Sequence, residues 1–140
     1  MLFRSITDDA DRENEGDLIC AAQCATAEAV NFMAKHARGL ICVPLAEERA
    51  QQFGLNAMVQ NSGDTFRTNF TVSVDAAHGI TTGISAPDRA RTVGVLASPA
   101  SKASLSGIWP PNPKPPLSPP PKIAFVSIIF GPTYLKPTGV

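Results

Sequence analysis

Apolar residues recur along this chain in short blocks, and the spacing inside each block predicts its element. Residues 18–22 form a compact apolar run and read as a strand. Val30, Met33, Ala34 and Ala37 then follow helical spacing. Thr26 supplies an N-cap, Glu28 sits in the first turn, Lys35, His36 and Arg38 lie near the end, and Gly39 comes just beyond. Residues 40–44 read as a second short strand, and Glu47–Phe53 as a short helix stopped by Gly54. Residues 55–68 show no clear period, and Asn61-Ser62-Gly63-Asp64 is turn chemistry. Phe70, Val72 and Val74 alternate with Thr71 and Ser73, the pattern of a half-buried strand. His78-Gly79 and Gly83 bracket a Thr-rich turn, after which Ser85-Ala86-Pro87-Asp88 resembles a capping box. The helix it starts is predicted to run through Arg91 and Val95.

The pattern breaks after residue 98. Eight of the thirteen residues 109–121 are proline, which forbids helix and interior strand and favours an extended or disordered stretch. Residues 123–130 then form an apolar, β-prone run interrupted only by Ser127, with no obvious partner in what precedes it and an aggregation hazard if exposed. Charge breaks at the same place. All twelve acidic residues lie at or before Asp88, against six of the twelve basic ones, so a net negative segment is followed by a net positive one. The expected organisation is a folded part over residues 1–98 and a proline-rich tail over residues 99–140, disordered or non-native. The tail is expected to stem from readthrough of a splice junction, a frameshift or an assembly error, or to be a ligand for an SH3-like partner.

The 140 residues suffice for one domain with a core. Formal neutrality argues against a nucleic-acid binder that relies on bulk charge. Cys20, Cys24 and Cys42 form no even disulfide framework, and Cys20 and Cys24 lack the further partners of a structural zinc site. Residues 1–7 are too short for a signal peptide and no apolar run approaches a membrane span, so no membrane partner is expected. A soluble, reducing compartment is the expectation: the cytoplasm, or the plastid stroma if the source is a plant or alga.

The chemistry concentrates in Asp11-Arg12-Glu13-Asn14-Glu15-Gly16-Asp17. In an extended segment Asp11, Glu13, Glu15 and Asp17 would point to one side in steps of roughly 7 Å. Such a row invites a hard divalent cation, since magnesium takes one or two carboxylates and leaves its other positions to water and substrate oxygens. A plain solvated acidic loop is the alternative.

The longer string Asp8-Asp9-Ala10-Asp11-Arg12-Glu13-Asn14-Glu15-Gly16-Asp17 closely resembles the acidic loop of the 3,4-dihydroxy-2-butanone 4-phosphate synthase family of riboflavin biosynthesis. Further similar strings follow in the family's order: Arg38-Gly39-Leu40-Ile41-Cys42, Asn69-Phe70-Thr71-Val72-Ser73-Val74, and Thr81-Thr82-Gly83-Ile84-Ser85-Ala86 with Asp88-Arg89. The resemblance covers about residues 8–93. It implies an α/β fold class (an α+β mixed sheet) in an incomplete domain, a homodimer in the intact family, and a lyase that converts D-ribulose 5-phosphate to 3,4-dihydroxy-2-butanone 4-phosphate and formate with Mg2+ or Mn2+.

Carried over position by position, the resemblance makes Glu13 a metal ligand and substrate contact. Arg12 and Asp17 become substrate contacts, and Glu15 an acid/base or a purely structural residue. Cys42 either flanks the sugar catalytically or is a buried strand cysteine. Thr82, with Ser85, offers N–H groups to a phosphate or serves only as a cap. His36 and His78 match no family site. The family's later Arg-Pro-Gly-His and Gly-His-Thr-Glu-Ala strings do not occur in these 140 residues. The chain alone is therefore expected to turn over slowly. A noncatalytic subunit of a complete synthase, and a metal- or sugar-phosphate-binding fragment, are the other readings.

Overall fold

Local sequence signals fix most of the elements in this computed structural model, which describes residues 3–11, 14–59, 70–99, 101, 105–107 and 125–130, the last two stretches as backbone. The order is β1 (Arg4–Thr7), β2 (Gly16–Ala21), a 3-10 turn (Ala22–Cys24), α1 (Ala27–His36), β3 (Leu40–Cys42), α2 (Glu47–Phe53), β4 (Val74–Ala76), α3 (Ala86–Ala97), β5 (Leu105–Gly107) and β6 (Phe125–Phe130). The mixture of helices and strands is that of the expected α/β class.

The helices form where their caps predict. Thr26 Oγ1 accepts the Ala29 N–H at 3.3 Å, and Ala29, Val30 and Met33 turn one buried face inward. The end of α1 differs from expectation. Arg38, not Gly39, takes the left-handed conformation at φ 61°, and its guanidinium reaches back to the Lys35 carbonyl at 3.5 Å. An arginine there bears a steric cost that glycine would not, of order 1 kcal/mol, partly offset by this contact. Gly54 ends α2 at φ 69° as predicted.

One four-stranded sheet runs β1-β2-β6-β3, each neighbouring pair antiparallel. Within the run for which sequence suggested no partner, Phe125–Phe130 thus supplies an inner strand: Ile128 pairs with Leu18 on one side and Ile41 on the other. The cause is backbone satisfaction. The edges of β2 and β3 that face each other do not pair, and an apolar segment between them meets both sets of N–H and C=O groups. The proline stretch at residues 109–121 lies outside the described residues.

The expected strand at residues 40–44 shortens to Leu40–Cys42. That at residues 70–74 reduces to a single bridge, Ala57 to Thr71, flanked by Met58 N–H to Phe70 C=O at 2.8 Å and Val72 N–H to Asn56 C=O at 3.0 Å. Regular pairing begins only at Val74, with β5. The alternating pattern recorded exposure on one side but carried no information about how long a partner it would find.

Cys20, Ala22, Met33, Ala37 and Val93 make the core, with Leu18, Ile41 and Val43 packed against it. Arg49 locks α2 to the end of α3. Its buried guanidinium donates to the carbonyls of Val95, Leu96, Ser98 and Ser101 and lies 4.2 Å above the Phe53 ring. These carbonyls include orphaned acceptors at a helix C-terminus, where a cation also suits the helix dipole.

Candidate functional site

Three stretches far apart in sequence carry the expected site residues: the β1–β2 connection, the end of β3 and the turn ahead of α3. The first does not form the extended carboxylate row. Thr7 pairs with Gly16, so the acidic residues between them connect a hairpin. The Asp8 N–H donates to the Glu15 carbonyl at 2.9 Å, the Asn14 N–H donates to the Asp9 carbonyl at 3.3 Å, and Asn14 adopts φ 51°. Strand alternation is lost at that point. Asparagine tolerates the left-handed conformation better than most residues. Asp11 is exposed, whereas Glu15 and Asp17 are half-buried. Arg12 and Glu13 lie outside the described residues.

Asp17 and Cys42 share one face of the sheet, with β6 between their strands. Ile129 pairs with both Asp17 and Leu40, and Ser127 with both Ile19 and Cys42, which puts Asp17 and Cys42 on one face. Leu18 and Ile41 point the other way, into the core. Burial pushes the Cys42 thiol above its ordinary pKa, and the negative charge of Asp17 pushes it further. At neutral pH this side chain is a thiol, not a thiolate.

Cys42 also lines a cleft of about 920 Å³, together with Asp75, Thr82, Gly83, Arg89 and Thr92. The cleft therefore collects two of the expected residues, Cys42 and Thr82. Asp17 and Glu15 are not among its lining residues, and Asp17 acts on Cys42 through its charge. Much of the remaining lining is apolar, and Leu40, Met58, Phe70 and Ile84 expose large surfaces around it.

The Thr82 wall is the best-defined part. Gly79 and Gly83 take φ 76° and φ 83°, and a Cβ on Gly83 would run into the Asp75 carboxylate. Asp88, only 5% exposed, accepts hydrogen bonds from the Thr81 N–H at 3.0 Å, the Thr81 hydroxyl at 2.8 Å and the Gly83 N–H at 3.0 Å. The Thr81 hydroxyl foremost, with the Thr81, Ser85 and Gly83 contacts, holds its carboxyl below the usual carboxylate range against the opposing effect of burial. Ser85 caps α3 as predicted, accepting the Asp88 N–H at 3.2 Å.

Sequence reasoning passed over Asp75 and Arg89 as site residues. Asp75 falls on the polar parity of its strand and reads as a solvated side chain, and Arg89 reads as part of a helix start. Only the fold brings them to one cleft. His36 packs on Phe32 with ring centroids 4.5 Å apart, and His78 is exposed in the turn. The donor chemistry suits magnesium, because Glu15 and Asp17 are carboxylates flanking the expected ligand Glu13. Among the described residues no group of three or more histidine, cysteine, aspartate or glutamate side chains could hold a metal ion. No helix among them is long and apolar enough to cross a membrane.

A family model for 3,4-dihydroxy-2-butanone 4-phosphate synthase matches residues 4–106, a longer stretch than the residues 8–93 of the sequence resemblance. A 3,4-dihydroxy-2-butanone 4-phosphate synthase of Neisseria meningitidis serogroup A is 60% identical over 97 residues, covering 69% of this chain and 27% of the relative. One of Oceanobacillus iheyensis is 56% identical over 99 residues, 71% of this chain and 47% of the relative. The chain thus spans between about a quarter and a half of these curated relatives. Among solved structures, a 3,4-dihydroxy-2-butanone 4-phosphate synthase in complex with two magnesium ions superposes with a TM-score of 0.78 at 33% identity, over 91% of this chain and 69% of that one. With the fold, the acidic hairpin and the Thr82 turn all in place, this chain belongs to the 3,4-dihydroxy-2-butanone 4-phosphate synthase family.

Proposed function

We propose that this chain serves the reaction that turns D-ribulose 5-phosphate into 3,4-dihydroxy-2-butanone 4-phosphate and formate, in the context of a homodimer. One observation carries the reading: Cys42 and Thr82, far apart along the chain, line one cleft, and the charge of Asp17 acts on Cys42. The reaction begins by removing a proton next to a ketone, and it needs groups that hold vicinal oxygens while protons are exchanged.

In this reading Glu13, with Glu15 or Asp17 beside it, holds Mg2+, or Mn2+ in its place. When bound, the ion supplies a Lewis acid for the sugar's adjacent oxygens. Arg12 and Asp17 hold the sugar by hydrogen bonds, and Glu15 takes up or returns a proton at the carbon next to the ketone. Cys42, kept as a thiol, flanks the sugar without acting as a nucleophile. Thr82 presents its hydroxyl and N–H on the opposite wall, where the Arg89 guanidinium adds a positive charge suited to the phosphate.

The test is formate release from D-ribulose 5-phosphate with excess Mg2+. The 140-residue chain should turn over at least about a hundredfold more slowly than a full-length relative, because the relatives' histidine-bearing strings are absent from it and catalysis needs all its groups held at once. A rate near that of the complete enzyme would refute the incomplete-site argument. A second reading, a noncatalytic subunit of a complete synthase, draws on the exposed Leu40, Met58, Phe70 and Ile84 around the cleft. Co-purification with a full-length relative, at altered turnover, supports it, and a strictly monomeric chain beside that relative argues against it.

A further inference from the structure

The turn that carries Thr82 is held by a side chain to which the sequence assigns only a capping role. The two backbone N–H groups on either side of Thr82, from Thr81 and Gly83, both donate to the Asp88 carboxylate, and the Thr81 hydroxyl adds a third bond. Thr82 itself is left exposed on the cleft wall. Asp88 is anchored in turn. Its N–H donates to Ser85 Oγ and its carbonyl accepts the Thr92 hydroxyl at 3.1 Å, while the same Thr92 oxygen accepts the Ala76 N–H at 3.0 Å. Two residues one turn apart on α3 therefore tie the helix to the Thr82 turn and to β4. From the other side, the Asp75 carboxylate fills the space beside Gly83 and prevents the turn from relaxing toward it.

We propose that Asp88 is a positioning residue for Thr82, holding residues 81–83 so that the Thr82 hydroxyl faces a sugar phosphate in the cleft. The proposal rests on the functional reading above and adds to it a residue that touches no ligand. The chemistry requires a carboxylate. Capping α3 takes only Ser85, whereas three donors converging on two oxygens need acceptors at both. An asparagine would turn an NH2 group toward an N–H or a hydroxyl and could keep at most part of the arrangement. A buried donor left without its acceptor then drives the turn to rearrange.

A double-mutant cycle separates positioning from general stabilisation. D-ribulose 5-phosphate is titrated in excess Mg2+ into the wild-type chain, Asp88→Asn, Thr82→Ala and the double variant, at a temperature where circular dichroism shows all four folded. Thr82→Ala and Asp88→Asn should each weaken binding about tenfold, and the double variant no more than the weaker single one. Thr81→Val, which removes only the hydroxyl contact, should cost about threefold in the wild-type background and nothing in Thr82→Ala. It also keeps the test decisive if Asp88→Asn does not fold. Wild-type affinity in Asp88→Asn and Thr81→Val would overturn the proposal and leave the functional reading standing. Multiplicative losses, about a hundredfold in the double variant, would overturn it too, since Asp88 would then act on the fold at large. No binding by the wild type would bring down the functional reading itself, and the positioning role with it.

Discussion

Single residues in this chain do work that their type alone does not announce, and Arg49 is the plainest case. A buried guanidinium that donates to four backbone carbonyls is a structural cross-link between α2 and α3. Arg49→Met should lower stability by about 3 kcal/mol in a urea titration, because buried carbonyls lose charged donors. Arg49→Lys should recover less than half of that, since an ammonium cannot span the same acceptors. Asp88 predicts a pH dependence. Its folded pKa is depressed, so its contribution is complete above the unfolded carboxylate pKa of about 4 and is lost as the pH falls through the lower folded value. The stability gap between wild type and Asp88→Asn should be flat above about pH 5 and close below about pH 4. A gap that persists unchanged into strong acid would contradict the assigned hydrogen bonds. Cys42, with its pKa raised by burial and then by Asp17, should react with iodoacetamide at pH 7 about tenfold more slowly than an unstructured cysteine peptide. Asp17→Asn should narrow that difference.

Elements differ in how much of them the sequence reveals. α1 and α2 are legible because their signals are local: Thr26 and Gly54 sit within a turn of the residues they cap. β6 is not legible, because its place depends on two strands more than eighty residues earlier in the chain. Propensity marks residues 123–130 as β-prone and cannot name a partner. The site divides along the same line. Cys42 and Thr82 lie within contiguous strings, which makes them legible as candidates. The roles of Asp75 and Asp88 arise only once α3 is laid against β4 and the Thr82 turn. The acidic hairpin is legible by its content, whereas the alternation of its carboxylates presumes an extended backbone that the left-handed Asn14 interrupts. Ile128→Pro tests the inner position of β6. Ile128 has a strand neighbour on each side, so losing its N–H must break the ladder. The variant should lose at least about 3 kcal/mol and melt without a sharp transition. An unchanged thermal melt would mean that β6 contributes little to holding β2 and β3 together.

The whole molecule combines a sheet and core of its own with a cleft around which Leu40, Met58, Phe70 and Ile84 are exposed. The chain spans about a quarter of the Neisseria relative and 69% of the magnesium-bound structure it resembles. The central claim is that the acidic hairpin and the cleft together bind a sugar phosphate with a divalent cation. Calorimetric titration of D-ribulose 5-phosphate into the chain, with and without Mg2+, measures it most directly, using Glu13→Ala as the control. The account predicts binding that depends on Mg2+ and is weakened at least about tenfold by Glu13→Ala, the loss expected for a charged ligand to a metal. Equal heats for the two proteins, or binding indifferent to Mg2+, would contradict it.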